Sequence, residues 1–394
     1  MKYFFIPGRK WVLSLAELKS VLNSSQTKHV ELSSSPEYIT FDIMLSIDDM
    51  LDLFKKLGGF IKFGFVVEDP YEFLEGNVLD KVQKINKKLN FAVSMAGEPQ
   101  MVREKINSKQ KLGMEIKKWL KTKKISSRYV AKPRIAQTSS VLIEKNKILD
   151  EGFELYLLFD SKRVTNLWGF TLAVQDYEDF AKRDYKRPRT NKKKGMLPPK
   201  LARIMVNLSG LKPGLTIWDP FCGSGTVLQE ALVLGYKVIG TDIDSVSIEE
   251  TQENLSWTCE EYKISHNNYK VMRHDIKDGI PEDIDYQSIV TEPYLGPILR
   301  NKVTLKEISD ITAELEPIYN AITRISQLDT EKKQSKKLVL VVPGFKTDQD
   351  WIDMEMPFVA KSNLRDVTQE LSVQPLQWDR PHSIIRRNIK IFEY

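Results

Sequence analysis

The run Asp-Pro-Phe-Cys-Gly-Ser-Gly-Thr at residues 219–226 combines an acid with two glycines, between a predicted strand (215–218) and a predicted helix (226–234). Gly223 and Gly225 permit a tight turn and let a ligand approach the bare backbone. The third glycine of a dinucleotide-binding pattern is absent, and Asp219 would repel a pyrophosphate, whereas a carboxylate suits a ligand with an ammonium group. The missing Gly-Lys-Ser/Thr excludes a P-loop. These residues therefore predict a site for S-adenosylmethionine.

Two further acids follow predicted strands of the same region. Asp242 ends the strand at 237–241, where a carboxylate accepts hydrogen bonds from ribose hydroxyls, and Asp244 is an alternative that could instead cap the next helix. Asp275 follows the strand at 269–273 and could accept a hydrogen bond from an adenine amine, with an isoleucine on each side of the ring. The predicted cofactor-binding residues are Asp219, Phe221, Cys222, Gly223, Gly225, Thr226, Asp242, Ile243, Asp275 and Ile276.

A Pro-Tyr element follows the predicted strand at 288–291. An exocyclic base amine is a poor nucleophile because its lone pair is delocalised into the ring. A side-chain oxygen and a backbone carbonyl that accept hydrogen bonds from the amine can turn this lone pair toward a methyl group. The predicted catalytic residues are Thr291, Glu292, Pro293 and Tyr294, with the tyrosine stacking on the base. Whether Thr291 or Glu292 orients the amine is left open by the sequence.

The elements that must position these residues alternate from residue 214 onward between short strands and helices. Such alternation predicts a mostly parallel, doubly wound α/β sheet, with ligands at the carboxyl ends of the strands. Upstream, residues 1–68 read as a small α+β module whose first helix begins at Ser14 with Glu17 completing a capping box. Residues 69–165 contain a basic helix near 111–121 and a strand at 139–144, residues 166–195 read as a basic linker, and residues 196–394 form the α/β domain.

Clustered cations point to a nucleic-acid partner. The net charge of +6 is modest, but residues 182–203 hold ten Lys or Arg against one acid, and a second basic stretch covers residues 105–128. Such clusters are typical of surfaces that contact a phosphate backbone. The predicted RNA contacts are Lys117, Lys118, Lys121, Arg128, Arg187, Lys192, Lys193 and Lys194.

The composition excludes several other classes. Hydrophobic residues make up 41% of the chain, and no apolar run approaches the roughly 20 residues that a membrane-spanning helix needs. With two cysteines and four scattered histidines, we expect neither a disulfide framework nor a metal site. Because no signal-peptide pattern is seen either, we expect an intracellular, cytoplasmic protein.

The glycine motif followed by a Pro-Tyr element resembles the amino-methyltransferases, whose signature is Asp/Asn-Pro-Pro-Tyr; here Thr291 stands where that acid or amide is usual. More of the chain resembles the THUMP-domain tRNA guanine-N2 methyltransferases of archaea and eukaryotes. The fragments that carry this wider resemblance are residues 7–9, 13–18, 91–94, 112–118, 169–176, 183–188 and 195–202. The resemblance implies an N-terminal ferredoxin-like domain, a THUMP RNA-binding domain, a Rossmann-like methyltransferase domain, and formation of N2-methylguanosine in tRNA.

The sequence also fits two other functions. A DNA adenine or cytosine amino-methyltransferase would use the same Pro-Tyr chemistry, but here the additional mass lies ahead of the glycine loop, which favours RNA. An RNA-binding protein with a decayed active site would explain the unusual Thr291-Glu292 pair, although the cofactor motif is intact. The sequence leaves open the modified nucleotide, the number of methyl groups, the oligomeric state and the need for a small partner subunit.

Overall fold

The computed structural model describes residues 1–78, 88–130, 132, 134–159, 166–190, 196–329 and 335–394. The predicted RNA contacts Lys192, Lys193 and Lys194 lie outside these ranges. The chain divides into two compact units. Unit 1 consists of Met1–Trp11, Thr27–Lys55 and Phe60–Asp176, and unit 2 of Val12–Gln26, Lys56–Gly59 and Tyr177–Tyr394.

Eight strands of unit 1 form one continuous sheet in the order β2-β3-β1-β4-β8-β7-β5-β6. The elements up to residue 174, in chain order, are β1 (Lys2–Pro7), α1 (Trp11–Ser24), β2 (His29–Ser34), β3 (Ile39–Ile43), α2 (Ile47–Lys56), β4 (Phe60–Val67), α3 (Pro70–Phe73), β5 (Leu89–Gly97), α4 (Pro99–Thr122), β6 (Ser127–Tyr129), α5 (Ser140–Lys145), β7 (Gly152–Phe159) and β8 (Leu167–Val174).

This sheet crosses two predicted boundaries. Strand β4 pairs antiparallel with β8, so residues before and after position 68 share one sheet. Residues 167–174, predicted as part of a linker, are this β8 strand, and the helix that follows begins at Tyr177. The strand predicted at 139–144 is wrong: Ser139 caps helix α5 by accepting a hydrogen bond from the Leu142 amide. The ferredoxin-like and THUMP assignments stay proposals.

Unit 2 contains a second sheet in the order β11-β10-β9-β12-β13-β17-β15. Its elements from residue 177 are α6 (Tyr177–Tyr185), α7 (Pro199–Leu208), β9 (Thr216–Asp219), α8 (Thr226–Val233), β10 (Lys237–Asp242), α9 (Ser245–Tyr262), β11 (Tyr269–Arg273), β12 (Ser288–Thr291), α10 (Leu305–Leu328), β13 (Lys337–Lys346), β14 (Trp351–Asp353), β15 (Arg365–Asp366), α11 (Thr368–Leu371), β16 (Gln377–Trp378) and β17 (Ile385–Glu393). The first five strands in this order, from β11 to β13, run parallel to one another, whereas β17 runs antiparallel to β13.

Alternate residues of these strands enter two different buried clusters. Ile217 and Val290 belong to a cluster on one face of the sheet, while their neighbours Trp218 and Ile289 belong to a cluster that includes residues of α10. Because both faces of the sheet are covered, its central strands are apolar on both sides. The predicted doubly wound, mostly parallel α/β fold is therefore confirmed.

Helix α1 corrects the predicted capping box. It begins at Trp11, so Ser14 and Glu17 lie inside the helix rather than at its start. The Ser14 hydroxyl donates to the Gly59 carbonyl at 2.6 Å, and the Glu17 carboxylate accepts from the Gly58 and Gly59 amides at 2.8 Å each. Ser14 and Glu17 therefore hold the turn at Gly58 and Gly59, and all four residues belong to unit 2.

The C-terminal part of the chain contains several short elements and one long strand. Residues 357–371 hold a short 3-10 helix, the two-residue strand β15 and the four-residue helix α11, and the long strand is β17. Within the ranges that the structure describes, no helix is both long and apolar enough to cross a bilayer.

Candidate active site

The predicted acids meet at one edge of the unit 2 sheet. Asp219 ends β9 and Asp242 ends β10, Asp275 follows β11, and Thr291 ends β12. Because these strands are parallel, their carboxyl ends lie at the same edge. The direction of strand order reverses between β9 and β12, which is where open α/β sheets bind their ligands.

The glycine loop has the conformation that its sequence requires. Gly223 and Gly225 have φ angles of +51° and +81°, a left-handed region that side chains rarely adopt. A Cβ atom at Gly225 would come within 3.1 Å of Thr251, whereas one at Gly223 would meet nothing within 4 Å. The Gly223 side of the loop is therefore open to a ligand that contacts backbone.

Helix α9 holds this loop through two residues that the sequence analysis missed. The Thr251 hydroxyl donates to the Gly223 carbonyl at 2.6 Å, and the Asn254 side-chain amide donates to the Ser224 carbonyl at 2.9 Å. Both residues are fully buried. Their spacing of three places them on one helix face, a signal that could have identified them beside the loop.

Asp242 and Asp244 have different roles. One Asp242 oxygen accepts from the Gly223 amide at 2.9 Å and the other from the Asp244 amide at 3.0 Å, so Asp242 ties the glycine loop to the end of β10. Asp244 caps α9 by accepting from the Val246 amide at 3.1 Å. Asp244 is therefore the helix cap, and the assignment of Asp242 as the ribose-binding acid stays a prediction.

Asp219 is 2% exposed, and one of its oxygens accepts from the Phe221 amide at 3.1 Å and the Thr291 hydroxyl at 2.6 Å. Burial, followed by the nearby charges of Asp242 and Glu292, raises the pKa of Asp219 to about 7. Thr291 is fully buried, so its hydroxyl is directed to Asp219 within the sheet. This arrangement argues against Thr291 as the group that orients an amine.

Glu292 is the first residue beyond β12 and is held by a residue of β17, which β13 separates from β12 in the sheet. Its carboxylate accepts two hydrogen bonds from Arg387 of β17, at 2.5 Å to Nε and 2.9 Å to a terminal nitrogen. Tyr294, two residues on, leaves 46% of its surface exposed. The turn after β12 therefore offers a fixed carboxylate and an accessible aromatic ring.

The remaining predicted cofactor residues divide into exposed and buried ones. Ile243 is 57% exposed, whereas Ile276 is 5% exposed and packs in the core with residues of α10. Asp275 caps a 3-10 turn by accepting from the Lys277 amide at 3.0 Å. Burial raises the pKa of the Cys222 thiol well above its usual value, which argues against a nucleophilic cysteine. In the described part of the chain, no three His, Cys, Asp or Glu side chains form a group that could hold a metal ion.

The predicted RNA contacts differ in accessibility. Lys117, Lys118 and Lys121 lie exposed on α4, and Arg128 is exposed on β6. Arg187 is only 3% exposed, and its guanidinium donates to the Thr226 hydroxyl at 2.8 Å. Its assignment as an RNA contact is therefore corrected: Arg187 supports the start of α8.

The pH dependence of cofactor affinity tests the environment of Asp219. A cationic ligand favours the ionised carboxylate, so we expect affinity for S-adenosylmethionine to rise by up to about tenfold per pH unit until the pH passes about 7. Without ligand, the free energy of unfolding should fall as the pH rises from 3.8 to about 7. In this range the folded carboxyl keeps a proton that the unfolded one has released. Calorimetric titration across this range measures the first effect.

Asp219→Asn is the control for this titration. The asparagine oxygen can still accept from the Phe221 amide and the Thr291 hydroxyl, so the substitution removes the charge and keeps the hydrogen bonds. We expect weaker binding that no longer changes with pH near 7. An identical pH slope in wild type and variant would assign the dependence to another group.

Comparisons with known proteins agree with this geometry. A family model described as RMKL-like, methyltransferase domain matches residues 186–340, which include all four strand ends of the site. A second model, described as DNA methylase, matches residues 68–253 and ends before β12. The crystal structure of TrmN from Thermus thermophilus aligns over 100% of this chain and 99% of its own with a TM-score of 0.52 and 14% identity, which supports the fold.

Several of the curated relatives that the chain matches are archaeal. A tRNA (guanine(10)-N2)-dimethyltransferase of Methanothermobacter thermautotrophicus is 45% identical over 127 residues, which cover 32% of this chain and 35% of the relative. A probable tRNA (guanine(10)-N2)-dimethyltransferase of Methanothermococcus thermolithotrophicus is 34% identical over 148 residues, covering 36% of this chain and 90% of the relative. The chain spans 35% and 41% of the lengths of the first two curated relatives that it matches.

The fold and the site define a Rossmann-like methyltransferase domain of the S-adenosylmethionine-dependent class. Within that class, the match over 90% of the Methanothermococcus protein decides the family. The chain belongs to the family of the tRNA (guanine(10)-N2)-dimethyltransferases.

Proposed function

We propose that this chain transfers methyl groups from S-adenosylmethionine to the exocyclic amine of a guanine in tRNA, forming N2-methylguanosine or its dimethyl form. The observation that carries the proposal is the position of Glu292 and Tyr294 at the end of β12, directly beside the acid and glycine loop at the end of β9. The names of the archaeal relatives support guanine 10 as the target and tRNA as the substrate. A tRNA substrate in turn supports a cytoplasmic enzyme.

The chain's own residues fit the cofactor. The glycine loop from Asp219 to Thr226 contains no cation, which suits a ligand without phosphate, and the open Gly223 side leaves room for close backbone contact. Asp242 would accept from ribose hydroxyls, and the exposed Ile243 would cover one face of an adenine ring. When bound, S-adenosylmethionine supplies a methyl group on a positively charged sulfur, and this sulfur keeps the bonding electrons when the methyl leaves.

The turn after β12 would prepare the amine. Glu292 accepts a hydrogen bond from one amine N–H. The backbone carbonyl of Pro293, the next residue along the chain, accepts a hydrogen bond from the other amine N–H. The two bonds together direct the nitrogen lone pair toward the methyl group. Tyr294 stacks on the guanine and limits its rotation. The lone pair forms the new nitrogen–carbon bond, and the proton of the resulting cationic nitrogen leaves to water. Thr291 acts only by holding Asp219.

Helix α4 is the proposed RNA-binding element of unit 1. Gly113, Ile116 and Leu120 are buried on one face, while Lys117, Lys118 and Lys121 are exposed on the other. A Cβ atom at Gly113 would lie 2.2 Å from the Tyr129 ring, so the glycine allows the helix to approach β6, which carries Arg128. The exposed lysines of α4 are therefore the proposed basic surface; Arg128 alternates with Tyr129 along β6 and so points to the face of the sheet opposite to α4.

The triple variant Lys117→Gln, Lys118→Gln, Lys121→Gln tests this surface. We expect tRNA binding to weaken and its salt dependence to flatten by about one unit for each phosphate group that the variant no longer neutralises, since each neutralised phosphate releases condensed counterions. Cofactor affinity should not change, because α4 belongs to unit 1 and the cofactor site to unit 2. Filter binding over a range of salt concentrations measures the slope.

The matched control replaces three other exposed lysines of unit 1, Lys2, Lys28 and Lys145, by glutamine. Equal flattening in both triple variants would mean that net charge, rather than the α4 surface, governs binding.

A DNA amino-methyltransferase is the second candidate, because the DNA methylase model matches part of the chain. That match ends at residue 253, before the turn that would bind the base amine. Incubation with labelled cofactor and equal amounts of total tRNA or duplex DNA separates the two functions. We expect label in tRNA alone. Label in DNA adenine or cytosine would instead identify a DNA amino-methyltransferase. Cofactor binding without methyl transfer to tRNA or DNA would support an RNA-binding protein with a decayed active site.

A further inference from the structure

Glu292 occupies an unusual electrostatic position. It stands at the same sheet edge as Asp219 and Asp242, and its charge contributes to the raised pKa of Asp219. A carboxylate on a turn just past a strand end can rotate, and a third negative charge here is repelled by the other two. A side chain that both fixes and neutralises Glu292 would solve these two problems together.

Arg387 meets both requirements. The side chains of Arg387 and Glu292 are 10% and 15% exposed, and the guanidinium donates through Nε and a terminal nitrogen to the two carboxylate oxygens. A two-bond interaction of this kind fixes the carboxylate plane, which a single ammonium group cannot do. Because each oxygen has two lone pairs, acceptor positions remain for an amine N–H.

The fold fixes Arg387 in turn. It lies near the start of β17, opposite Pro343 of β13 and opposite Trp378 of β16. Its guanidinium stacks over the Trp378 ring at 5.1 Å from the centroid, an arrangement that suits a planar cation. The pair therefore links the turn after β12 to the antiparallel C-terminal strands, 95 residues away in sequence.

We propose that Arg387 is a positioning residue that holds Glu292 in the plane and orientation needed to accept a hydrogen bond from the guanine amine. This inference rests on the proposed function and adds to it a residue outside every motif of the sequence. Arg387 does not touch the base; it acts through Glu292. Its loss should therefore lower turnover rather than affinity.

Arg387→Lys tests the proposal in the full-length chain, because lysine keeps the charge and cannot form the two-bond interaction. We expect kcat for tRNA methylation to fall about tenfold to a hundredfold, with KM for tRNA and Kd for S-adenosylmethionine unchanged. The matched control is Arg386→Lys on the same strand, where Arg386 pairs with Asp353 at 2.7 Å and lies 4.9 Å from the Trp351 ring. The control should keep the kcat of the wild type.

A double-mutant cycle separates positioning from general stabilisation. If Arg387 acts through Glu292, Arg387→Lys should cost little further kcat in a Glu292→Gln background, although each change alone is costly. Equal kcat in the Arg387→Lys, Arg386→Lys and wild-type proteins would overturn the inference, as would additive losses in the cycle. A wild-type enzyme that methylates no guanine amine would instead refute the proposed function on which the inference rests.

Discussion

Glu292→Gln is expected to lower kcat for tRNA methylation by about a hundredfold or more, which is the cost of losing one pre-oriented group in an active site. Glutamine has one acceptor oxygen where glutamate has two. Its NH2 group must face either the Arg387 guanidinium or the guanine amine, and both of these are donors. The binding of tRNA depends on other residues and should not change, so single-turnover kinetics at saturating cofactor and tRNA measure the effect directly.

Thr291→Ser is the control for this prediction, because serine keeps the hydroxyl that donates to Asp219. It should retain kcat, whereas a fully active Glu292→Gln variant would contradict the role assigned to Glu292. That result would return the amine-orienting role to Thr291, the alternative that the sequence left open.

Asp242→Ala is expected to reduce affinity for S-adenosylmethionine by about a hundredfold, equivalent to about 3 kcal/mol for hydrogen bonds to a charged group. The substitution removes the acceptor for ribose and also the bond that holds the Gly223 amide at 2.9 Å. Affinity for tRNA should remain, since the exposed lysines of α4 lie in unit 1. Calorimetry with cofactor and filter binding with tRNA measure the two affinities.

The matched control is Asp244→Ala, two residues away. Asp244 caps α9 through the Val246 amide, so its loss should cost about 1 kcal/mol of stability and leave cofactor affinity intact. The reverse pattern, with binding lost on replacing Asp244, would transfer the ribose role to that residue. Lost tRNA binding in a folded Asp242→Ala variant would contradict the separation of the two sites.

The cofactor side of the site was predictable because its signals are local. Asp219, Gly223 and Asp242 each follow a strand that the sequence pattern identifies, and parallel strands necessarily bring their carboxyl ends together. The doubly wound sheet was predictable for the same reason, since its strands and helices alternate at regular lengths. The capping role of Asp244 became clear only from its hydrogen bond to the Val246 amide.

The partners of the amine site could not be read from the sequence, because they are distant along the chain. Nothing near Glu292 indicates an interaction with Arg387, which lies 95 residues away and is placed by antiparallel pairing of β17 with β13. Arg187 illustrates the opposite error: it belongs to a basic run, yet the fold buries it against Thr226. Charge in a sequence does not distinguish an exposed cation from one that is hydrogen-bonded inside.

The N-terminal half shows a similar limit. The pairing of β4 with β8 joins segments about 100 residues apart, so a boundary drawn from local composition separates strands of one sheet. The strand predicted at 139–144 is instead helix α5, which Ser139 caps by accepting a hydrogen bond from the Leu142 amide. The first difference comes from long-range strand pairing, and the second from a local helix cap that the strand prediction overlooked.

The measurement that tests the central claim most directly is nucleoside analysis of tRNA after incubation with S-adenosylmethionine carrying a deuterated methyl group. We expect guanosine with one or two labelled methyl groups on its exocyclic amine, formed by the wild type and nearly absent with Glu292→Gln. Label on a ring nitrogen, on a ribose oxygen or on adenine would contradict guanine amine methylation.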